Sequence, residues 1–84
     1  MSKKPDQLTR SENLRIDELV AEWNAEFEIL RQRLRQRVEE ADVEGAEHTA
    51  VLMANTMSQI AIMQGAQRGD PTVISSMRQT GAFQ

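Results

Sequence analysis

A run of apolar residues spaced alternately by four and three positions constrains the fold of this chain most strongly. This spacing puts the side chains on one side of an α-helix and is typical of a coiled-coil seam. It predicts a long amphipathic helix over residues 9–43, about 50 Å long. Such a helix needs a second helix to cover its seam. The seam consists of Ile16, Val20, Trp23, Phe27, Leu30 and Leu34.

The start of this helix has its own signal. Thr9 and Glu12 stand three positions apart, as in a capping box, where the hydroxyl accepts from a backbone amide and the carboxylate reaches back. Residues 1–8 precede the box, are mostly polar and contain Pro5. We therefore expect a polar arm before the helix.

The seam fails after Leu34. The positions that would continue it are mostly polar, and Gly45 follows closely. Glycine suits a left-handed helix end, so we predict a turn at residues 42–45. The alternative is one unbroken helix to Gln67, because a glycine inside a helix costs only about 1 kcal/mol.

A second helix is predicted over residues 46–67. No residue from His48 to Gln67 carries a formal charge. A helix that is apolar almost all round is usually buried on more than one side. The face expected to pack on the first helix consists of Ala50, Met53, Ala54, Met57, Ile60 and Ala61, and the other sides carry Val51, Leu52, Ile62, Met63 and Ala66.

A short third helix is predicted over residues 71–80. Asp70 is a good N-cap, Pro71 suits the first helical position, and Gly81 is placed to end the helix. Residues 81–84 would form a tail. The chain is thus expected to be all-α, a helical hairpin with a short C-terminal helix, in a single domain of 84 residues with coiled-coil-like, oligomeric packing.

The composition argues against several classes of function. The chain has no cysteine and a single histidine, so disulfides, thiol chemistry and a zinc knuckle are excluded, and no catalytic constellation stands out. We expect a protein that is not an enzyme and that uses no cofactor, metal ion or small-molecule substrate.

An arginine cluster supplies an alternative function. Its members, Arg31, Arg33, Arg35 and Arg37, could contact the phosphates of a nucleic acid or form ion pairs between subunits. Residues 31 and 33 point in different directions on a helix, acidic residues flank the cluster, and no aromatic side chain is interleaved for base stacking. The net charge of −3 also argues against general nucleic-acid binding.

A membrane-interacting hairpin built on residues 48–67 is a second alternative. Polar residues interrupt that segment, and it lacks the basic face of a membrane-surface helix. The N-terminus lacks the apolar stretch of a secretory signal. We therefore expect a cytoplasmic protein, or one exported by a specialised system without a cleaved signal peptide.

The surplus apolar surface of the second helix is the main indication of function. An 84-residue chain has little material to cover it, unless the third helix does so. We expect a helical protein-interaction or assembly protein, whether structural subunit, adaptor or chaperone, that binds itself, another protein, or both. The expected contact residues are Val20, Trp23, Phe27, Leu30, Leu34, Met53, Met57, Ile60, Met63, Ile74, Met77 and Phe83.

Overall fold

The computed structural model describes residues 7–83, which form three α-helices. Helix α1 spans Arg10–Glu39, α2 spans Val43–Gln67 and α3 spans Pro71–Gln79. α1 and α2 pack together as a helical hairpin and α3 follows α2, which confirms the all-helical prediction. The molecule measures 60 × 20 × 19 Å. Most of the arm predicted at residues 1–8 lies outside the described residues.

The predicted capping box is confirmed at the start of α1. The backbone N–H of Glu12 donates to the Thr9 hydroxyl at 3.1 Å, and the backbone N–H of Thr9 donates to the Glu12 carboxylate at 2.8 Å. Both bonds satisfy amides that the helix itself leaves without partners. The first turn is therefore fixed locally by sequence.

The turn between α1 and α2 lies earlier than expected. α1 ends at Glu39 and α2 begins at Val43, so the first helix is shorter than the predicted 9–43, and the unbroken helix is wrong. Residues 40–42 make the turn, and the second helix starts three residues before the predicted position 46.

The chain makes this turn without a glycine. Ala41 has φ 55°, and the N–H groups of Ala41 and Asp42 donate to the carbonyls of Val38 and Arg37 at 3.0 and 2.9 Å. This pattern is a Schellman motif, which satisfies the last carbonyls of α1. The Asp42 carboxylate then caps α2 by accepting from the N–H of Gly45 at 3.0 Å.

Gly45 leaves room for the N-cap of α2 and does not end α1. It lies in the first turn of α2, where a Cβ atom would collide with the Asp42 carboxyl and stand 3.1 Å from Cδ of Arg37. A side chain at position 45 would therefore compete with the capping carboxylate for space. The prediction that Gly45 ends the first helix is wrong for this reason.

A Schellman motif followed by an aspartate cap also connects α2 to α3. Gly69 has φ 89° and provides the left-handed residue, and the N–H of Asp70 donates to the carbonyl of Gly65 at 3.1 Å. The Asp70 carboxylate accepts from the N–H of Thr72 at 3.0 Å, ahead of the helix that begins at Pro71. The predicted Asp-Pro helix start is confirmed.

The core lies at the end of the hairpin that α3 covers. Ile16 and Ile74 are completely buried, and Phe83 and Leu8 pack against the same cluster while partly buried. Ala82 and Phe83 thus pack on the core instead of forming a free tail. The buried members of the cluster are Ile16, Met63, Ala66, Ile74 and Met77.

α2 turns a different face to α1 from the one predicted. Thr49 and Thr56 are the buried residues of its middle part, and each hydroxyl donates to the carbonyl four residues earlier, at 2.8 and 2.9 Å. Met53 and Ile60 are only partly buried beside them. The remaining members of the predicted face are exposed: Ala50, Ala54, Met57 and Ala61.

Candidate interaction surface

The side of α2 that faces away from α1 is apolar and open. Its four large side chains are 44–66% exposed, although α1 and α3 bury other residues of the same helix. We call this surface the outer face of α2. It consists of Val43, Ala50, Val51, Ala54, Met57, Ala61 and Ile62.

Charge is absent from most of this surface. Glu44 and Glu47 are the only formally charged residues of α2, and both lie in its first turns. α1 also exposes large apolar side chains, at Leu14 and Ile29, but these stand among many charged neighbours. Isolated exposed apolar residues are ordinary on protein surfaces, whereas a contiguous uncharged apolar surface marks a contact site.

Most of the contact residues predicted from sequence are buried, fully or partly, by other helices of this same chain. The seam residues of α1 face α2: Leu30 is buried, and Val20, Trp23, Phe27 and Leu34 are partly buried. Met63, Ile74 and Met77 are buried in the core, and Met53, Ile60 and Phe83 are partly buried. Met57, which is 58% exposed, is the one predicted contact residue that the hairpin leaves open.

Sequence reasoning missed most of the outer face because it placed α2 in the wrong rotation. The apolar pattern begins the second helix after Val43 and places Val51 and Ile62 on the other sides of that helix. The signal was present in the threonines at positions 49 and 56, which stand seven residues apart as a seam requires. Because threonine is polar by type, a pattern of apolar residues alone does not include these two positions.

Two arginines of the cluster have carboxylate partners and two do not. Arg31 donates to Glu28 at 2.7 Å, and Arg37 lies 3.6 Å from the Asp42 carboxylate. The hydrogen bond from Arg31 is the main reason why the pKa of Glu28 is lowered. Among residues 7–83, neither Arg33 nor Arg35 has a carboxylate oxygen within 4 Å. The cluster thus offers two guanidinium groups without an ion-pair partner among the described residues.

Two of the shallow depressions on the hairpin are lined in part by its apolar side chains. One, of about 280 Å³, runs between α1 and α2 beside Trp23, Leu30 and Leu52, with Glu26 and Arg33 at its rim. The other, of about 260 Å³, lies next to the turn and is lined mainly by apolar side chains. Both are open, and neither brings together groups that could carry out acid–base or nucleophilic chemistry.

Within the described part of the chain, no three His, Cys, Asp or Glu side chains are arranged to hold a metal ion, and no helix is long and apolar enough to cross a membrane. The chain matches no protein-family model, and comparison with curated proteins and with solved structures finds no significant similarity. Any functional interpretation therefore depends on the surface itself.

Proposed function

We propose that this chain is a non-enzymatic helical interaction protein that joins a larger assembly through the outer face of α2. The observation that carries the proposal is the exposure of Val43, Val51, Met57 and Ile62 on a helix whose outer side has no charged residue after Glu47. A structural subunit, an adaptor and an assembly chaperone are the forms that such a role takes.

Burial of this face is favourable for two physical reasons. Covering a large apolar side chain completely stabilises a complex by about 1.5–3 kcal/mol. Along residues 50–62 no ion would have to leave water, so the large penalty for burying an unpaired charge does not arise there. A protein surface suits this face better than a membrane, because membrane-surface helices carry basic residues on the polar side and Arg68 stands alone at the end of α2.

One substitution tests the proposal. Ala54→Glu places a charge in the middle of the outer face, and Gln59→Glu adds the same charge to the other flank of α2 as a matched control. We expect the native complex, isolated with a tagged chain and weighed by light scattering, to fall towards the 9.5 kDa of one chain with Ala54→Glu only. Circular dichroism checks that both variants stay helical.

Two results contradict the proposal. One is a native chain that is monomeric at every concentration and associates with nothing. The other is an Ala54→Glu variant whose complex has the same mass as that of the unsubstituted chain. Met57→Glu is a second test of the same face, since Met57 lies on it and is 58% exposed. It should release the complex as Ala54→Glu does.

Nucleic-acid binding is the second candidate, and the unpaired Arg33 and Arg35 favour it. It has less support, because the other two arginines of the cluster already hold carboxylates. It requires retention on a polynucleotide at low salt, a steep loss of affinity as salt rises, and loss of binding on replacing Arg33 and Arg35 by glutamine. Ala54→Glu would leave such binding unchanged.

A further inference from the structure

We propose that the groove between α1 and α2, beyond the end that α3 covers, binds an amphipathic helix of another protein. That helix carries one basic and one acidic residue a heptad apart, which pair with Glu26 and Arg33. This groove shares no residue with the outer face of α2, so the inference goes beyond the proposed function. Three features support it: the continuity of the groove with the core, the contact that Glu12 already makes with α3, and two rim charges without partners.

The open depression beside Trp23 continues the groove in which the core lies. Leu52 and Ala66 stand two heptads apart, so they lie on the same side of α2. Ala66 is buried in the core together with Ile74 of α3, whereas Leu52 lines the depression. Trp23 belongs to both regions, because it packs against the core cluster and also lines the depression. The groove thus begins under α3 and stays open beyond it.

The buried apolar side chains of the hairpin lie where a third helix covers it. The core cluster is at the end that α3 covers, and Leu30 is the only large apolar side chain of residues 7–83 that is buried elsewhere. Two packed helices leave a groove on each side, and a third helix laid along one groove completes a bundle. From Trp23 to the end of α1 at Glu39 the groove is about 24 Å long, enough for a helix of about 16 residues.

The carboxylate of Glu12 shows how this groove binds a helix. At the covered end, Nε and Nη2 of Arg78 on α3 donate to the two carboxylate oxygens of Glu12, each at 2.9 Å. Glu26 occupies the equivalent position two heptads further along α1 and lines the open depression. It is therefore placed to receive a basic residue as Glu12 receives Arg78. The residues at seven-residue intervals along this edge of α1 are Glu12, Leu19, Glu26 and Arg33.

Glu26 and Arg33 are exposed and have no partner of opposite charge within 4 Å among the described residues. They stand at the rim of a depression whose apolar lining consists of Trp23, Leu30 and Leu52. The two positions are about 10 Å apart along α1, which is also the distance between residues one heptad apart on a bound helix. An apolar side chain of that helix fills the depression, and the two ion pairs fix its register.

The mixed charge of the rim selects among possible occupants. A nucleic acid or an anionic membrane would pair with Arg33 but would be repelled by Glu26, and a purely basic segment would be repelled by Arg33. A helix that carries one charge of each sign pairs with both. Peptide helices in grooves are held by apolar residues at such helical spacings, and a heptad pair of charges adds specificity to them.

Trp23 supplies the readout for a binding experiment, because it lines the depression and is the only tryptophan of a chain without tyrosine. The probes are three helical peptides of about 16 residues with the same leucine stripe and no aromatic residue. At two positions a heptad apart they carry arginine and glutamate, two arginines, or two glutamates. We expect the mixed peptide to shift the emission of Trp23 in the full chain and to bind about fivefold more tightly than either of the others.

A substitution at the rim should change which peptide binds best. Arg33→Glu gives the rim two carboxylates, so the preference should pass to the peptide with two arginines. Arg35→Glu is the matched control, because Arg35 also lacks a carboxylate oxygen within 4 Å among the described residues but does not line this depression. It should keep the preference for the mixed peptide. Circular dichroism checks that both variants stay helical.

Three results overturn the inference. The first is a mixed peptide that binds no more tightly than the other two, or that leaves the emission of Trp23 unchanged. The second is an equal effect of Arg33→Glu and Arg35→Glu, since net charge alone would then decide. The third is an emission that shifts with the concentration of the chain itself, which shows a second copy in the groove. The proposed function is tested separately, because Ala54→Glu changes the outer face of α2 and should leave all three peptide affinities unchanged.

Discussion

Arg78 and Glu12 join the last helix of the chain to the first. Nε and Nη2 of Arg78 donate to the two carboxylate oxygens of Glu12, each at 2.9 Å, and Nη2 also donates to the carbonyl of Gln7 at 2.7 Å. The same carboxylate accepts the N–H of Thr9 in the capping box. One side chain thus holds the start of α1 and the end of α3.

This geometry predicts how stability changes in acid. The hydrogen bond from Arg78, followed by that from the Thr9 amide, lowers the pKa of Glu12 to about 2 from its usual 4.5. Because the folded pKa is the lower one, the stabilisation is complete above about pH 4.5 and is lost as the pH falls towards 2. The carboxyl chemical shift of Glu12, followed by NMR through a pH titration, measures the pKa directly.

Arg78→Met is expected to raise the pKa of Glu12 and to lower the free energy of unfolding at pH 7. The variant should also lose less stability than the native chain between pH 5 and 2. Arg15→Met is the control, because it removes an exposed pair with Glu18 at 3.1 Å, and it should change stability by only a few tenths of a kcal/mol. Equal effects of the two substitutions would show that the link between the helices contributes nothing.

Two glycines near the end of α2 are expected to respond with opposite signs to substitution by alanine. Gly65 lies inside the helix, and a Cβ there would meet Cγ2 of Val73 at 3.8 Å, an ordinary contact. Gly65→Ala should therefore stabilise the fold by about 1 kcal/mol. Gly69→Ala should destabilise it by roughly as much, because φ is 89° at that position. Urea denaturation of both variants measures the difference, and two changes of the same sign would contradict the prediction.

Ala41 offers a stabilising change in the turn. It is the one non-glycine residue of the described chain with a positive φ, at 55°. Ala41→Gly removes a strain of about 1 kcal/mol, partly offset by the greater freedom of glycine in the unfolded chain, for a net gain of about 0.5 kcal/mol. Ala25→Gly, at an exposed position inside α1, should instead lose about 1 kcal/mol. A thermal melt compares the two, and a loss at position 41 would mean that the Schellman turn is not strained.

The sequence predicted the features that depend on local chemistry. The Thr9 capping box, the Asp70-Pro71 helix start and the seam of α1 all follow from residue type and spacing, and all appear in the structure. The turn at 40–42 could not be predicted in the same way, because an alanine occupies the left-handed position that glycine usually takes. Asp42 is the residue that could have indicated the turn, because an aspartate favours the N-cap position and α2 begins directly after it.

The rotation of α2 was the larger error, and its cause is physical. A threonine on a helix can return its hydroxyl to the carbonyl four residues earlier, and its methyl group is then free to face an apolar seam. Thr49 and Thr56 do this, so they are buried although they are polar by type. The three alanines and Met57, which the sequence pattern assigns to the seam, lie instead on the outside and belong to the candidate interaction surface.

Thr56→Val tests this explanation of the seam. Thr56 is 3% exposed, and its hydroxyl donates to the carbonyl of Leu52, which already accepts from the helix. Valine has nearly the same shape, leaves no buried group without a partner and adds apolar area to the seam, so we expect a gain of about 1 kcal/mol. Thr72→Val, at an exposed position of α3, should stay within about 0.5 kcal/mol of the native chain. Guanidinium denaturation distinguishes the two. If Thr56→Val lowered stability by 1 kcal/mol or more, the hydroxyl of Thr56 would itself stabilise the seam. The explanation that its methyl group makes the favourable contact would then be wrong.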